Sequence, residues 1–280
     1  MDKHQSPKVV LITGCSSGIG RCAADILRAR GYRVFAAARK IEDVQRLSSE
    51  GFEALLLDLR DSGSIETAVR ELSDRTGGRI FGLFNNAAYG QPGAVEDLTR
   101  EALRAQFETN LFGTHELTCH ILPLMRRQGE GRIIQNSSIL GFAAMKYRGA
   151  YNASKFALEG LTDTLRLELK GSGVHVSLIE PGPISSRFRD NALLQYRAHV
   201  NPETSLHRKT YEALEARLVK EGPAVPFTLG PEAVVRRVIH ALESRRPKVR
   251  YYVTFPTYLF GTLKRCLPDQ VLDVLLGKIN

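Results

Sequence analysis

Tyr151 and Lys155 stand four apart, in the run Tyr151-Asn152-Ala153-Ser154-Lys155. On a helix that spacing puts both on one face. A phenol titrates near ~10, too high for easy proton exchange at neutral pH, and an ammonium beside it favours the phenolate and lowers that value. The pair is therefore a candidate general acid and base. The pattern alone is weak, because nine Tyr and eleven Lys in 280 residues give roughly 0.35 such pairs by chance. Its surroundings give it weight. Ser138, thirteen residues upstream of Tyr151, can donate to a carbonyl oxygen and orient it, with its neighbour Ser137 as the rival; Asn110 lies further upstream.

A second constellation lies near the N-terminus. Thr13–Gly20 reads TGCSSGIG, directly after an apolar run and at the start of a helical pattern. Glycines there let the backbone turn tightly and approach a pyrophosphate, and the helix N-terminus offers free N–H groups. Gly14, Ser16, Ser17, Gly18, Ile19 and Gly20 are the candidate dinucleotide contacts. The next strand ends in Ala38-Arg39-Lys40. An acid at that point would bind ribose hydroxyls, whereas Arg39 can pair with a 2′-phosphate, which favours NADP(H) over NAD(H).

The elements that must carry these residues alternate. Lys8–Thr13, Tyr32–Ala38, Glu53–Asp58, Ile80–Asn85, Arg132–Asn136, Val174–Glu180 and Val249–Phe255 read as strands. Gly18–Arg30, Glu42–Glu50, Ser62–Thr76, Arg100–Gln128, Tyr151–Lys170 and Pro231–Leu242 read as helices, the long one kinked at Pro123. The prediction is an α/β fold: one Rossmann-like, doubly wound parallel sheet of about seven strands with helices on both faces, spanning the whole chain. The rhythm fails over 185–229, a charged segment with helical character in Ser205–Glu221, read as a loop carrying the substrate or as an exposed insertion.

With these elements in order, the chain resembles the short-chain dehydrogenases/reductases. The glycine spacing TG-x-x-x-G-I-G, Asn85-Asn86-Ala87-Ala88 after the fourth strand, Asn110 in ETNLFG, Ser137-Ser138, the Tyr151/Lys155 pair and Pro181-Gly182 follow the family's order. Ala88 stands where the family usually has Gly. The resemblance covers nearly the whole chain and is weakest over 185–229. It is similar to a branch of bacterial NADP-dependent aldehyde/ketone reductases related to retinol and 17β-hydroxysteroid dehydrogenases.

That resemblance implies hydride transfer between NADP(H) and an aldehyde or ketone and its alcohol, with Tyr151 exchanging the proton. It implies that Lys155 tunes Tyr151 and binds the nicotinamide ribose, and that Asn110 holds a water linking Lys155 to solvent. Asp58 and Leu59 would contact the adenine; Asn86, Ala87 and Ala88 would line the cofactor; Pro181, Gly182, Ile184 and Ser186 would lie near the carboxamide. A homodimer or homotetramer through the two long central helices is implied as well. Oxidative action on an alcohol or steroid, or a catalytically quiet NADP-sensing role, stays open.

Ile139, Leu140, Phe142, Met145 and Tyr147 follow the fifth strand, either as an apolar wall for a hydrophobic carbonyl compound or as packing for their own loop. The tail, 256–280, carries Val271, Leu272, Val274 and Leu275 at helical spacing beside basic residues. It fits peripheral membrane contact, a cover for the sheet, or a subunit interface. The net charge is +9, but the basic residues come as scattered pairs, against nucleic-acid binding. Nothing at the N-terminus fits a signal peptide, and no apolar run suits a membrane span. Cys15, Cys22, Cys119 and Cys266 form no CxxC pair, and the histidines form no metal-ligand pattern, so a cytoplasmic enzyme without a metal is expected.

Overall fold

Val9–Thr13 (β1) is buried along its whole length, as a strand covered on both faces must be. Alternate side chains enter different layers. Val10 and Ile12 join Ala23, Ala24 and Leu27 of α1 (Gly18–Ala29) and Val234, Val235 and Val238 of α9 (Glu232–Glu243). Val9 and Leu11 join Ile65 and Leu72 of α3 (Ser62–Thr76) and Leu117, Ile121 and Met125 of α5 (Gly113–Gln128). This period-2 division makes the three-layer sandwich.

A computed structural model describes residues 6–223 and 225–278. His4, Ala224 and the last two residues of the tail lie outside the described residues. The other strands are β2 (Arg33–Ala38), β3 (Glu53–Leu56), β4 (Gly82–Asn85), β5 (Gly131–Asn136), β6 (Val174–Glu180) and β7 (Arg250–Tyr252). They form one parallel sheet in the order β3-β2-β1-β4-β5-β6-β7. The order reverses between β1 and β4, where doubly wound sheets open a crevice beyond the carboxyl ends of the strands. The remaining helices are α2 (Ile41–Ser49), α4 (Arg100–Phe107), α6 (Gly149–Glu168), α7 (Phe188–His199), α8 (Arg208–Val219), α10 (Phe255–Cys266) and α11 (Asp269–Gly277).

Three expectations change. The helix expected over Arg100–Gln128 is two helices, α4 and α5, joined by a wide π-turn at Glu108–Phe112, and Pro123 sits inside α5 without breaking it. The cause is local packing. Asn110 is pulled onto the backbone of Tyr89, and Gly113 lies so close to the Leu59 carbonyl that a Cβ would overlap it. The last strand is shorter than Val249–Phe255, because Phe255 opens α10. Within 185–229, α8 falls in the stretch read as helical, but α7 is an additional helix, and the two enclose a small core of Ala192, Tyr196, Tyr211 and Leu214, with Ala94 from the loop after β4.

Candidate active site

The glycine-rich loop is shaped by positions where no side chain fits. Gly14 and Gly18 have φ of +73° and +58°, in the left-handed region that favours glycine. A Cβ on Gly20 would overlap the Gly14 carbonyl and come within 2.7 Å of Asn86 Nδ2. Ser17 caps α1 without a side-chain hydrogen bond, so its hydroxyl and the first N–H groups of the helix are free for a ligand. The Ser16 carbonyl is held by Arg46 at 2.9 Å, and half-buried Ile19 packs on the core beneath.

The end of β4 is tied to this loop. Thr13 Oγ1 accepts from the N–H groups of Asn86 and Ala87, both at 2.9 Å, and Asn86 Nδ2 donates to the Thr13 carbonyl at 2.9 Å. Asn136 Nδ2 donates to Asn86 Oδ1, joining β5 to the same point. Ala88 keeps ordinary negative φ, so a methyl in place of the usual Gly strains nothing there. A Cβ on Gly18 would come within 3.0 Å of Ser186 Cβ. Ser186 therefore faces the loop across the crevice, beyond Pro181-Gly182. Gly182 lies against Thr254, and Ile184 packs on the core of the α1 side. These free N–H groups and glycine-lined surfaces fit a dinucleotide.

Arg39 is exposed at the end of β2. Asp58 is clamped by Arg60, whose Nε lies 3.0 Å from Oδ1 and whose Nη2 lies 2.6 Å from Oδ2. Burial raises the Asp58 carboxyl, but Arg60's hydrogen bonds and charge, with the charge of Arg39, leave it below its ordinary value. Arg60 is a second cation at this end that the sequence reading overlooked. The Leu59 side chain is buried in the α3/α5 layer, so only its backbone can meet a ligand.

The paired residues of α6 sit beyond β5. Tyr151 is buried, with the ring of Phe188 edge-on at 5.3 Å. Lys155 Nζ donates to the Asn136 carbonyl at 2.7 Å and lies 5.7 Å from the Tyr151 ring centre. Ser138 Oγ accepts from Leu140 N–H at 3.1 Å, which leaves its proton free to donate. Ser137 points the other way: its Oγ and Glu159 Oε1 both crowd Gly141. Asn110 Nδ2 donates to the Tyr89 carbonyl and to Ser154 Oγ, and its Oδ1 accepts from Tyr89 N–H. The structure thus brings Tyr151, Lys155, Ser138 and Asn110 together at the crevice, while none of the Asn110 amide's bonds goes to Lys155.

One expectation about this group needs correction. Burial pushes the Tyr151 phenol up to about 12, and hydrogen bonding with Ser138 pulls the other way; Lys155 does not lower it. Burial also pushes the Lys155 ammonium down to about 8, against the attraction of Glu159. Desolvation outweighs the expected charge effect because both groups lie away from water and the ammonium turns toward Asn136.

A family profile described as short chain dehydrogenase matches residues 8–196. The chain belongs to the short-chain dehydrogenase/reductase family. An uncharacterized oxidoreductase of Escherichia coli K12, YbbO, is 45% identical over 269 residues, covering 96% of this chain and 94% of YbbO. An NADPH-dependent 3-dehydrocapnine reductase of Ornithobacterium rhinotracheale is 32% identical, covering 97% of this chain and 96% of its own. A crystal structure of a short-chain dehydrogenase from Streptomyces avermitilis superposes with a TM-score of 0.77 at 28% identity, covering 100% of both chains.

Two further features of this short-chain dehydrogenase/reductase, beside Arg60, escape the sequence reading. Phe188, at the start of α7, covers Tyr151 and fills the space left by Gly90, where a Cβ would lie 2.8 Å from the phenyl ring. The second is a buried charge cluster. Arg250 of β7 reaches Glu180 of β6 at 2.6 Å, Asp163 of α6 at 2.5 Å and also Glu159, one helical turn beyond Lys155. A signal existed: Glu180 and Arg250 are opposite charges within apolar strand patterns. Of the apolar residues after β5, Phe142 stacks on Tyr252 at 5.7 Å and Tyr147 packs on His207 and Tyr211, so these two support their loop.

Below about pH 8 the folded protein carries a desolvated Lys155 ammonium. Between about 8 and the ordinary value of 10.5, the unfolded chain holds a proton that the folded one has released, so stability rises with pH over that window. Lys155→Met is therefore expected to be the more stable protein at pH 7, with its advantage shrinking by pH 10. Urea midpoints of both proteins at the two pH values test this, and a pH-independent difference would refute it.

Proposed function

We propose that this oxidoreductase interconverts a hydrophobic aldehyde or ketone and its alcohol with NADP(H). The observation that carries the reading is that Tyr151 hydrogen-bonds with Ser138 and has Lys155 Nζ 5.7 Å from its ring centre, while Lys155 is tied through Asn136 and Asn86 to Thr13 at the start of the glycine-rich loop. When bound, the nicotinamide gives a hydride to the carbonyl carbon or takes one from the alcohol carbon. The loop residues Gly14, Ser16, Ser17, Gly18, Ile19 and Gly20 would hold the pyrophosphate. Asp58 and the Leu59 backbone would hold the adenine, and Asn86, Ala87 and Ala88 the middle of the cofactor. Pro181, Gly182, Ile184 and Ser186 would hold the carboxamide.

The raised Tyr151 value keeps the phenol protonated at neutral pH, the form needed to donate to a carbonyl oxygen during reduction. Ser138, its acceptor position taken by Leu140 N–H, directs its proton to the same oxygen. Lys155 has donors left beyond its bond to Asn136, for a ribose hydroxyl. Phe188 excludes water from Tyr151 and offers an apolar surface to the substrate. We further propose a cytoplasmic homo-oligomer, with 185–229 as the substrate-carrying segment.

The preference for NADP(H) rests on Arg39, exposed and next to a buried Ala38 where an acid would repel a 2′-phosphate. Support comes from the NADPH dependence of the 3-dehydrocapnine reductase. Arg39→Asp is expected to weaken NADPH binding by about 10–100-fold, in line with losing a charge-assisted hydrogen bond, and to leave NADH binding unweakened. Fluorescence titration of both cofactors measures this; unchanged NADPH affinity would remove the assignment.

The reading as a whole is tested by following NADPH absorbance with a panel of hydrophobic aldehydes and ketones, then NADP⁺ reduction with the matching alcohols. Turnover in either direction is expected. Binding of NADPH with no turnover in either direction would leave a cofactor sensor in place of an enzyme.

A further inference from the structure

The sheet ends at β7, and along this edge lie cations that the reaction does not use. The ion pairs nearby occupy Arg30 with Glu243, Arg250 with its three carboxylates, and Lys264 with Asp269. Arg237 of α9, Lys248 before β7 and Arg265 of α10 have no carboxylate partner among the described residues. They line one cleft of about 290 Å³ together with Tyr252 and Tyr258. The phenols sit ring-edge to ring-face at 5.4 Å, and Arg237 Nη2 lies 3.4 Å from Tyr258 Oη.

Tyr258 and Arg265 share a side of α10 with Phe255 and Thr262, at helical spacing. Phe255 is 57% exposed and stacks at 5.0 Å on Phe227, also 57% exposed. Leu259 is exposed beside them, and α11 carries its own exposed stripe of Val271, Val274 and Leu275. Solvent-facing aromatic and aliphatic side chains next to unpaired cations match the chemistry of a bilayer surface, where rings enter the headgroup layer and cations meet acidic lipid. A second copy of the chain fits less well, since a two-fold contact would set these cations against their own equivalents.

We infer that the β7 edge, with the cation cleft of Arg237, Lys248 and Arg265 and the exposed Phe227–Phe255 pair, docks the protein on an anionic lipid surface. This stands independently of the reaction proposed above. Docking there would place Phe227, which belongs to the 185–229 segment, at a reservoir of apolar compounds.

The full chain is tested by co-sedimentation with vesicles of phosphatidylcholine alone and of phosphatidylcholine with phosphatidylserine. Partitioning to the anionic vesicles, weakened by salt and absent with neutral ones, is expected. Arg237→Glu/Lys248→Glu/Arg265→Glu should lower it by at least about a hundredfold. Phe227→Asp/Phe255→Asp should also lower it, with an unchanged thermal midpoint and an unchanged mass in solution. The inference is overturned by no partitioning of the parent protein, or by variants that partition as the parent does. A fall in oligomer mass of the Phe variant, marking a subunit interface, would overturn it too. So would binding of inorganic phosphate that the triple variant loses while vesicles go unbound, which marks a soluble-anion site. If the triple variant fails to fold, the salt dependence of the parent and the Phe variant decide.

Discussion

Tyr151→Phe is expected to lower turnover of a hydrophobic aldehyde by about 10²–10⁴-fold, the usual worth of a positioned proton donor, while NADPH affinity stays unchanged. The substitution removes one oxygen and keeps the ring, so the edge-on contact with Phe188 and the packing of α6 are retained. The effect should fall on kcat, because the donated proton matters once charge develops on the substrate oxygen. Ser137→Ala is the internal control. Ser137 Oγ lies with Glu159, away from the phenol, so its loss should spare the rate while Ser138→Ala reduces it. Full activity in Tyr151→Phe would require another group, with the Lys155 ammonium the nearest in this set, to supply the proton, and would overturn the assignment of Tyr151.

How much of this was legible depended on the range of the interaction involved. The alternation of apolar runs and helical patterns was enough for the doubly wound sheet, because a strand buried on both faces has to be apolar throughout, as β1 is. The glycine loop was legible because Gly14, Gly18 and Gly20 answer to local backbone geometry and to one close neighbour. The π-turn at Glu108–Phe112 was not. It arises from Asn110 reaching Tyr89, twenty-one positions away, and from Gly113 meeting Leu59, neither of which leaves a mark on helical periodicity. Phe188 was invisible for a similar reason: α7 packs mainly on α8, so its buried face is narrow and its charged residues mask the pattern. The titration of Tyr151 and Lys155 marks a different limit. Spacing shows which face two residues share, and burial, a property of the whole fold, decides which direction their pKa values move.

Arg250→Leu should destabilise the protein by about 3–5 kcal/mol, the cost of stripping the counter-charge from buried carboxylates. Arg250 is the cation on which Glu159, Glu180 and Asp163 converge. Glu180 is fully buried, and Glu159 nearly so. Burial holds both carboxyls above the ordinary range, the charge of Glu159 adds to the rise at Glu180, and Arg250 opposes it at both. Without the guanidinium, those values rise further above the unfolded ones near 4.5. A group raised in the folded state favours folding below its unfolded value and loses that contribution as pH climbs through the folded one. The pH-dependent part of the defect should therefore be small near pH 5 and open above about pH 8, where Glu180 of the parent ionises beside Arg250 and that of the variant does not, as read from urea midpoints. Adding Glu180→Gln removes one of the carboxyls that must stay protonated in the folded variant, so the double variant should recover part of the loss at about pH 9 and little at pH 5. A small, pH-independent loss with no recovery would mean that water or backbone donors, and not Arg250, satisfy this pair. The cluster matters beyond stability because Glu159 lies one turn from Lys155 and raises its pKa. Neutralising Glu159 through protonation withdraws that support from the ammonium, so the NADPH affinity of Arg250→Leu should fall below the parent's over the pH range in which Glu159 is neutral in the variant and charged in the parent.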